Sequence, residues 1–157
     1  AFTVQYDFCM PERFDLSYTG QDGEKKRAFV VHRSSIGAIE RIMAFLIEKY
    51  AGAFPTWLSP VQVKILPIGE SQYEYAQKVF ESVREKNIRV ELDSSNESLG
   101  KRIRNTKLEK IPYTLVIGDK EVEANAVTVE SRDQGNLGQS SLEDFLIKIS
   151  KEISIKA

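Results

Sequence analysis

The chain has 157 residues, 41% hydrophobic and 29% charged, with a formal net charge of −1. That is the balance of a folded globular protein, long enough for one domain or two smaller pieces, and it carries no global positive field toward nucleic acid, so any RNA contact must come from a local basic patch. A lone cysteine and a lone histidine, Cys9 and His32, exclude an internal disulfide framework, fit a reducing compartment and cannot by themselves close a structural zinc site.

Nothing in the sequence reads as a membrane span or a signal peptide, so a cytoplasmic protein with no membrane partner is expected. The opening "AFTVQYDF" already has strand character. It suggests a chain that starts partway through a larger protein, the alternative being removal of an initiator Met.

In chain order, residues 3–9 alternate as a strand. Strands at about 13–19 and 27–32 follow, joined by a polar loop holding Gly20 and Gly23, which together read as an antiparallel meander. Residues 37–51 are helical, with Ile39, Met43, Leu46 and Tyr50 stepping by three or four and Ile42 and Phe45 widening the stripe. Only Glu40, Ala44 and Glu48 remain for a polar side, so this helix is expected to be largely buried. "GAFPTWLSP", residues 52–60, breaks regular structure, and the boundary between two units is placed there, 1–53 and 54–157. Phe54 and Trp57 are expected to pack the units together.

Beyond it the rhythm changes. VQVKI (61–65) alternates as a strand, and Ser71 with Glu74 reads as a capping box before a helix striped by Tyr73, Ala76, Val79, Phe80 and Val83. IRVEL (88–92) is a strand, about 97–109 a helix, and YTLVI (113–117) an apolar run suited to a strand covered on both faces. Strand, helix, strand, helix, strand predicts crossovers around a parallel sheet core. After a Gly118–Asp119 turn, the segments near 120–123 and 126–130 are expected as antiparallel strands. Ser140 with Glu143 should cap a last helix that turns Leu142, Phe145, Leu146 and Ile149 inward.

Two places carry candidate chemistry. At the first, Gly37 follows a strand and lets a flat ligand approach, while Arg41 at the start of the next helix can stack on a ring and pair with a phosphate. An ordinary salt bridge, between the neighbours Glu40 and Arg41 or with another strand, is the alternative. At the second, Lys101, Arg104 and Lys107 share one face of helix 97–109, with Leu99 and Ile103 on another. That face can meet phosphates or can be a solvated surface.

The string "HRSSIGAIERIMAFLIEKYAGAFPTWLSPVQVKILPI" (residues 32–68) closely resembles the end of the catalytic domain of class II threonyl-tRNA synthetases running into their anticodon-binding domain. The elements His-Arg, Gly-x-x-Glu-Arg, Tyr-Ala-Gly-x-Phe-Pro-x-Trp-Leu and Pro-Val-Gln-Val stand in that family's order. The likeness extends from "TVQYDF" through "RFDLSY" to "IPYTLVIGDKEVE". The resemblance implies an α/β fold: a fragment of the class II antiparallel catalytic sheet with one buried helix, followed by a mixed-sheet, three-layer α/β anticodon-binding domain. It implies ATP-dependent ligation of threonine to its tRNA through a threonyl-adenylate.

In those terms Gly37 to Arg41 corresponds to the third class II motif. Arg41 is the catalytic arginine over ATP, which enters with Mg2+, and Glu40 steadies its guanidinium. Thr3, Gln5 and Ala38 line the ATP and threonine pocket, and Ala38 departs from the serine common in the family. His32 corresponds to one of three protein ligands of a zinc ion, the other two preceding residue 1 in the family, and Cys9 sits in the wrong motif to replace them.

Asn96, Arg104 and Glu121 align with anticodon-reading positions, and Lys101, Lys120 and Arg132 are plausible additions. The family commonly has Arg-x-Arg where this chain reads Glu130-Ser131-Arg132. The first two class II motifs, which carry the usual homodimer interface, are not in these residues, so the chain alone is expected not to aminoacylate. Two further readings stay open, a non-catalytic tRNA- or protein-binding module on the same fold and a generic protein-interaction domain.

Overall fold

The computed structural model describes residues 2–156; Ala1, at the head of the strand-like opening, and Ala157 lie outside the described residues. The chain divides into two compact units, Ala1–Lys49 and Tyr50–Ala157, a few residues before the expected boundary at 53/54. Residues 50–54 are tied into the second unit. Tyr50 meets Phe54 edge-on at 6.1 Å between ring centroids, and Lys110 donates to the Ala51 carbonyl.

The first unit holds two separate two-stranded antiparallel ladders rather than a meander. β1 (Thr3–Asp7) pairs with β4 (Val30–Ser34), and between them lie a short helix α1 (Cys9–Arg13) and the hairpin of β2 (Ser17–Thr19) and β3 (Lys25–Arg27). The expected strand 27–32 is broken at Ala28–Phe29, which lets its two halves pair with different partners. α1 went unread in the sequence. Its signal was Asp7, whose Oδ1 accepts from the Cys9 and Met10 N–H groups at 2.9 Å each and so holds the first free donors of the turn.

α2 (Ile39–Tyr50) forms where expected, but none of its residues is buried, which corrects the expectation of a buried helix. Ile39 is 70% and Met43 55% exposed. Two-stranded ladders are too narrow to cover so wide an apolar stripe, and the pattern records a need for cover without supplying it.

The second unit is built on one five-stranded sheet in the order β6-β5-β7-β8-β9. β5 (Val63–Pro67), β6 (Val90–Leu92) and β7 (Tyr113–Ile117) are parallel, and β8 (Ala126–Ser131) and β9 (Gly135–Ser141) add antiparallel strands. β9 was not foreseen, since GNLGQSS has neither an apolar face nor β-branched enrichment. α3 (Tyr73–Glu85) connects β5 to β6, and α4 (Leu99–Leu108) connects β6 to β7. Because β5 lies between the other two, the crossovers run in opposite directions and, with a common hand, place their helices on opposite faces.

Side-chain alternation then sorts the layers. Val63, Ile65, Tyr113, Leu115, Ile117, Val127 and Val129 join the α3 residues Ala76, Val79 and Val83 and the Phe145, Leu146 and Ile149 of α6 (Leu142–Ile155) in the core. The opposite face is more polar. Lys64 reaches Glu109 just past α4 at 2.7 Å, Glu130 reaches Lys107 on α4 at 2.8 Å, and Thr128 reaches Glu121 at 2.8 Å.

Three local readings need correction. Residues 119–123 form a helix, α5 (Asp119–Glu123), not a strand. The segment DKEVE offers one apolar residue to a sheet, while its acidic first turn and the Glu121 carboxylate, which accepts from the Gly118 N–H at 2.9 Å, favour a helix start. Before α3 the capping contact is made by Gln72, whose Oε1 accepts from the Gly69 N–H at 2.9 Å, not by Ser71 with Glu74. α6 is capped one residue later than expected, by Ser141 accepting from the Asp144 N–H at 3.1 Å.

Candidate functional site

In the first unit the β1–β4 register sets Gln5 opposite His32 and Thr3 opposite Ser34. Residues at alternate positions of a strand share a face, so Thr3, Gln5 and Asp7 project together. With His32, Arg33 and Ser34 they line an open hollow of about 570 Å³. His32 Nε2 lies 3.0 Å from Asp7 Oδ2. Hydrogen bonds, first from the Met10 N–H and then from His32, hold the Asp7 carboxyl below its ordinary range. Asp7 was missed in the sequence, although its i, i+2 relation to Gln5 gave the signal.

The structure therefore brings Thr3, Gln5 and His32 together. It does not bring Ala38, Glu40 or Arg41 to them: these residues open α2 and are absent from the hollow's lining. Among the described residues Glu40 and Arg41 make neither an ion pair with each other nor one with a third group. The donor set here does not fit a zinc centre either, since no group of three His, Cys, Asp or Glu side chains among the described residues is placed to hold a metal.

In the second unit Asn96, Lys120 and Glu121 follow the carboxyl ends of the parallel strands β6 and β7, where open α/β sheets receive ligands at the point where strand order reverses, whereas Arg132 sits at the opposite end beside Pro112. The loop after β6 and the chain leaving β5 border a hollow of about 260 Å³ lined by Gly69, Glu70, Tyr73, Asn96 and Glu97 among others. Asn96 is exposed at its rim. The turn before it is built by Asp93, whose Oδ1 accepts from the Ser95 N–H at 2.8 Å and the Ser95 hydroxyl at 2.6 Å. Desolvation raises the Asp93 carboxyl, but the Ser95 hydrogen bonds and the Arg102 charge outweigh it and leave it lowered.

On α4 the expected basic face is present but partly neutralised. Lys101 pairs with Glu97 at 2.6 Å and Lys107 with Glu130 at 2.8 Å, whereas Arg104 is exposed and makes no ion pair among the described residues. Lys120 is exposed on α5. Glu121 spends both oxygens internally, on the Gly118 N–H and the Thr128 hydroxyl. Arg132 points its guanidinium at the Phe54 carbonyl (2.9 Å), the Lys110 carbonyl (3.0 Å) and Asp133. It thereby clasps the 52–60 segment, which Arg89 also holds through the Ser59 and Trp57 carbonyls at 2.8 Å each.

Sequence reasoning missed Arg102, which is 4% exposed and donates to the Pro67 and Asp93 carbonyls at 2.7 and 3.0 Å. Its helical spacing from Leu99 and Thr106 placed it on the inward side, and that was the available signal.

A mixed sheet with helices on both faces defines an open three-layer α/β domain. The family described as Anticodon binding domain matches residues 62–152, and the chain belongs to that family. Curated relatives include the threonine–tRNA ligase of Clostridium botulinum (strain Loch Maree / Type A3), 58% identical over 154 residues, and that of Caldanaerobacter subterraneus subsp. tengcongensis, 56% identical over 155 residues. These alignments take in 98% and 99% of this chain but 24% of each relative, so the chain spans about a quarter of their length.

Among solved structures, the RNA binding domain of threonyl-tRNA synthetase from Cryptosporidium parvum Iowa II matches with a TM-score of 0.77 at 33% identity, over 96% of this chain and 38% of that one. Prolyl-tRNA synthetase from Cryptosporidium parvum matches with a TM-score of 0.67 at 19% identity, over 92% of this chain and 31% of that one, a likeness of fold alone.

Proposed function

We propose that this chain is the anticodon-reading part of an ATP-dependent threonine–tRNA ligase, joined to the end of its class II catalytic domain. The observation that carries the reading is a relation that runs across both units, 58% identity over 154 residues with a threonine–tRNA ligase. The geometry agrees with it: Asn96 stands at the mouth of a hollow, and Arg104 presents a cation that no acid in the described residues neutralises. Anticodon bases splay out of a loop and are read by hydrogen bonds on their edges, while neighbouring phosphates meet basic side chains.

In the whole protein the substrates are threonine, its tRNA, and ATP with Mg2+, and the enzyme works as a cytoplasmic homodimer. Thr3 and Gln5 contact the substrates in the β1–β4 hollow, and Arg41 stabilises the charge that develops on the nucleotide as the adenylate forms. The zinc that the resemblance implies would take at most His32 from these residues, and its further donors would come from outside them.

Binding of threonine tRNA to the chain, at two salt concentrations and with an anticodon-altered transcript as control, tests the anticodon reading. Each misread base should cost about 1–3 kcal/mol, and Arg104→Ala should flatten the salt dependence by about 0.7 in log–log slope. Equal affinity for both transcripts, with no effect of the variant, refutes it. The position of Arg41 outside the hollow favours a second reading, a non-catalytic tRNA-binding module. Threonine-dependent pyrophosphate exchange by the whole protein, abolished by Arg41→Ala, would exclude that module.

A further inference from the structure

Among the described residues Arg102 is the only buried charged side chain. A guanidinium taken from water is costly, and the cost is recovered only where its donors meet well-placed acceptors. The acceptors it meets are backbone carbonyls at two chain exits: Pro67 ends β5, and Asp93 directly follows β6. One side chain from the first turns of α4 thus ties together the two segments that border the rim hollow.

The contacts continue outward. Arg102 Nε lies 3.4 Å from Asp93 Oδ1, the same oxygen that accepts both Ser95 hydrogen bonds. Nε has no hydrogen-bond partner, so charge rather than a hydrogen bond holds this last link. The sequence of contacts runs α4, Arg102, Asp93, Ser95, and then Asn96. An apolar side chain of equal size would fill the space under the loop but would leave two carbonyls without donors and the Asp93 carboxylate without its counter-charge.

We propose that Arg102 is a positioning residue for base recognition. It touches no RNA, and it sets the height and orientation of the 93–97 loop over the strand ends so that Asn96 presents its amide at a fixed distance from the 67–70 edge. The assignment rests on the anticodon-reading function proposed above.

The test measures binding of the chain to threonine tRNA and to the same transcript with one anticodon base exchanged, each at two salt concentrations, with circular dichroism recording the folded fraction. Arg102→Met should lower discrimination between the transcripts by about tenfold while leaving the salt slope unchanged, since no phosphate contact is lost. Arg102→Lys, which can satisfy one carbonyl, should recover part of it. In an Asn96→Ala background Arg102→Met should reduce discrimination no further, because the two act as one unit.

Losses that multiply in the double variant, or full discrimination retained by folded Arg102→Met, overturn the proposal. Should Arg102→Met fail to fold, Arg102→Lys and Ser95→Ala decide. Both should fold and both should lose discrimination several-fold, and wild-type discrimination in both overturns it. A wild-type chain that itself fails to discriminate overturns the anticodon reading together with this assignment. Discrimination by wild type with an additive double variant overturns the assignment alone.

Discussion

Glu130 stands on β8 with Thr114 and Asn136 as its cross-strand neighbours, and its carboxylate holds Lys107 at 2.8 Å. The Lys107 side chain is 64% exposed and that of Glu130 23%. Glu130→Gln keeps the size and removes the charge. A pair this open to water contributes about 0–1 kcal/mol to stability, so the melting temperature should move by only a few degrees. The effect on RNA should be larger. Releasing Lys107 adds one cation to the face that carries Arg104, and each single-strand phosphate contact steepens log affinity against log salt by about 0.7. Between about 50 and about 200 mM salt this gives roughly a two- to threefold extra loss of affinity, with tighter binding at the low end. Titrating threonine tRNA across that range with wild type and Glu130→Gln reads the difference directly. Lys107→Met added to Glu130→Gln should return the slope to the wild-type value. Equal slopes for wild type and Glu130→Gln would refute the idea that this ion pair withholds Lys107 from RNA.

Arg132→Ala strips donors from the Phe54 and Lys110 carbonyls and should cost about 1–3 kcal/mol in urea unfolding while leaving anticodon discrimination intact. Lost discrimination at unchanged stability would instead make Arg132 an RNA contact. Glu121 supplies a pH test. Desolvation raises its carboxyl, but hydrogen bonds from the Thr128 hydroxyl and the Gly118 N–H outweigh it, and the net shift is below the ordinary 4.5. A depressed folded-state pKa gives stability that is present above the unfolded value and is lost as pH falls through the folded one. Wild type should therefore lose stability as pH falls below about 5, and Glu121→Gln should show a shallower decline in thermal melts over that range. Parallel curves would remove Glu121 from the acid sensitivity.

The parts of the fold legible in the sequence are those whose signal is local and repeated. YTLVI announced the central strand, and the stripe through Ala76, Val79 and Val83 announced α3, because burial on one side imposes a period. Where a segment is short, period fails and capping decides: DKEVE is too short to show a period, and Glu121 closing on the Gly118 N–H makes it a helix. The arginines divide along the same line. Arg104 was legible as an exposed cation from helical phase alone. Arg102 and Arg132 each have one carbonyl partner, Pro67 and Phe54, that lies 35 and 78 residues away in the chain, beyond any window that a periodicity can sample.

Charge on a helix face is likewise a property of the fold. Lys101, Arg104 and Lys107 read as three equivalent cations, and one of the two acids that quench them was within reach of sequence logic, since Glu97 precedes Lys101 by four residues on the same helical face. The other, Glu130, arrives from β8, and only the antiparallel return of that strand beside β7 carries it to Lys107. Arg104 is therefore left as the unneutralised cation between two paired lysines. A basic face reduced in this way supplies little indiscriminate attraction for phosphate, so under the proposed anticodon reading preference among RNAs would rest on base edges and on the geometry of the 93–97 loop.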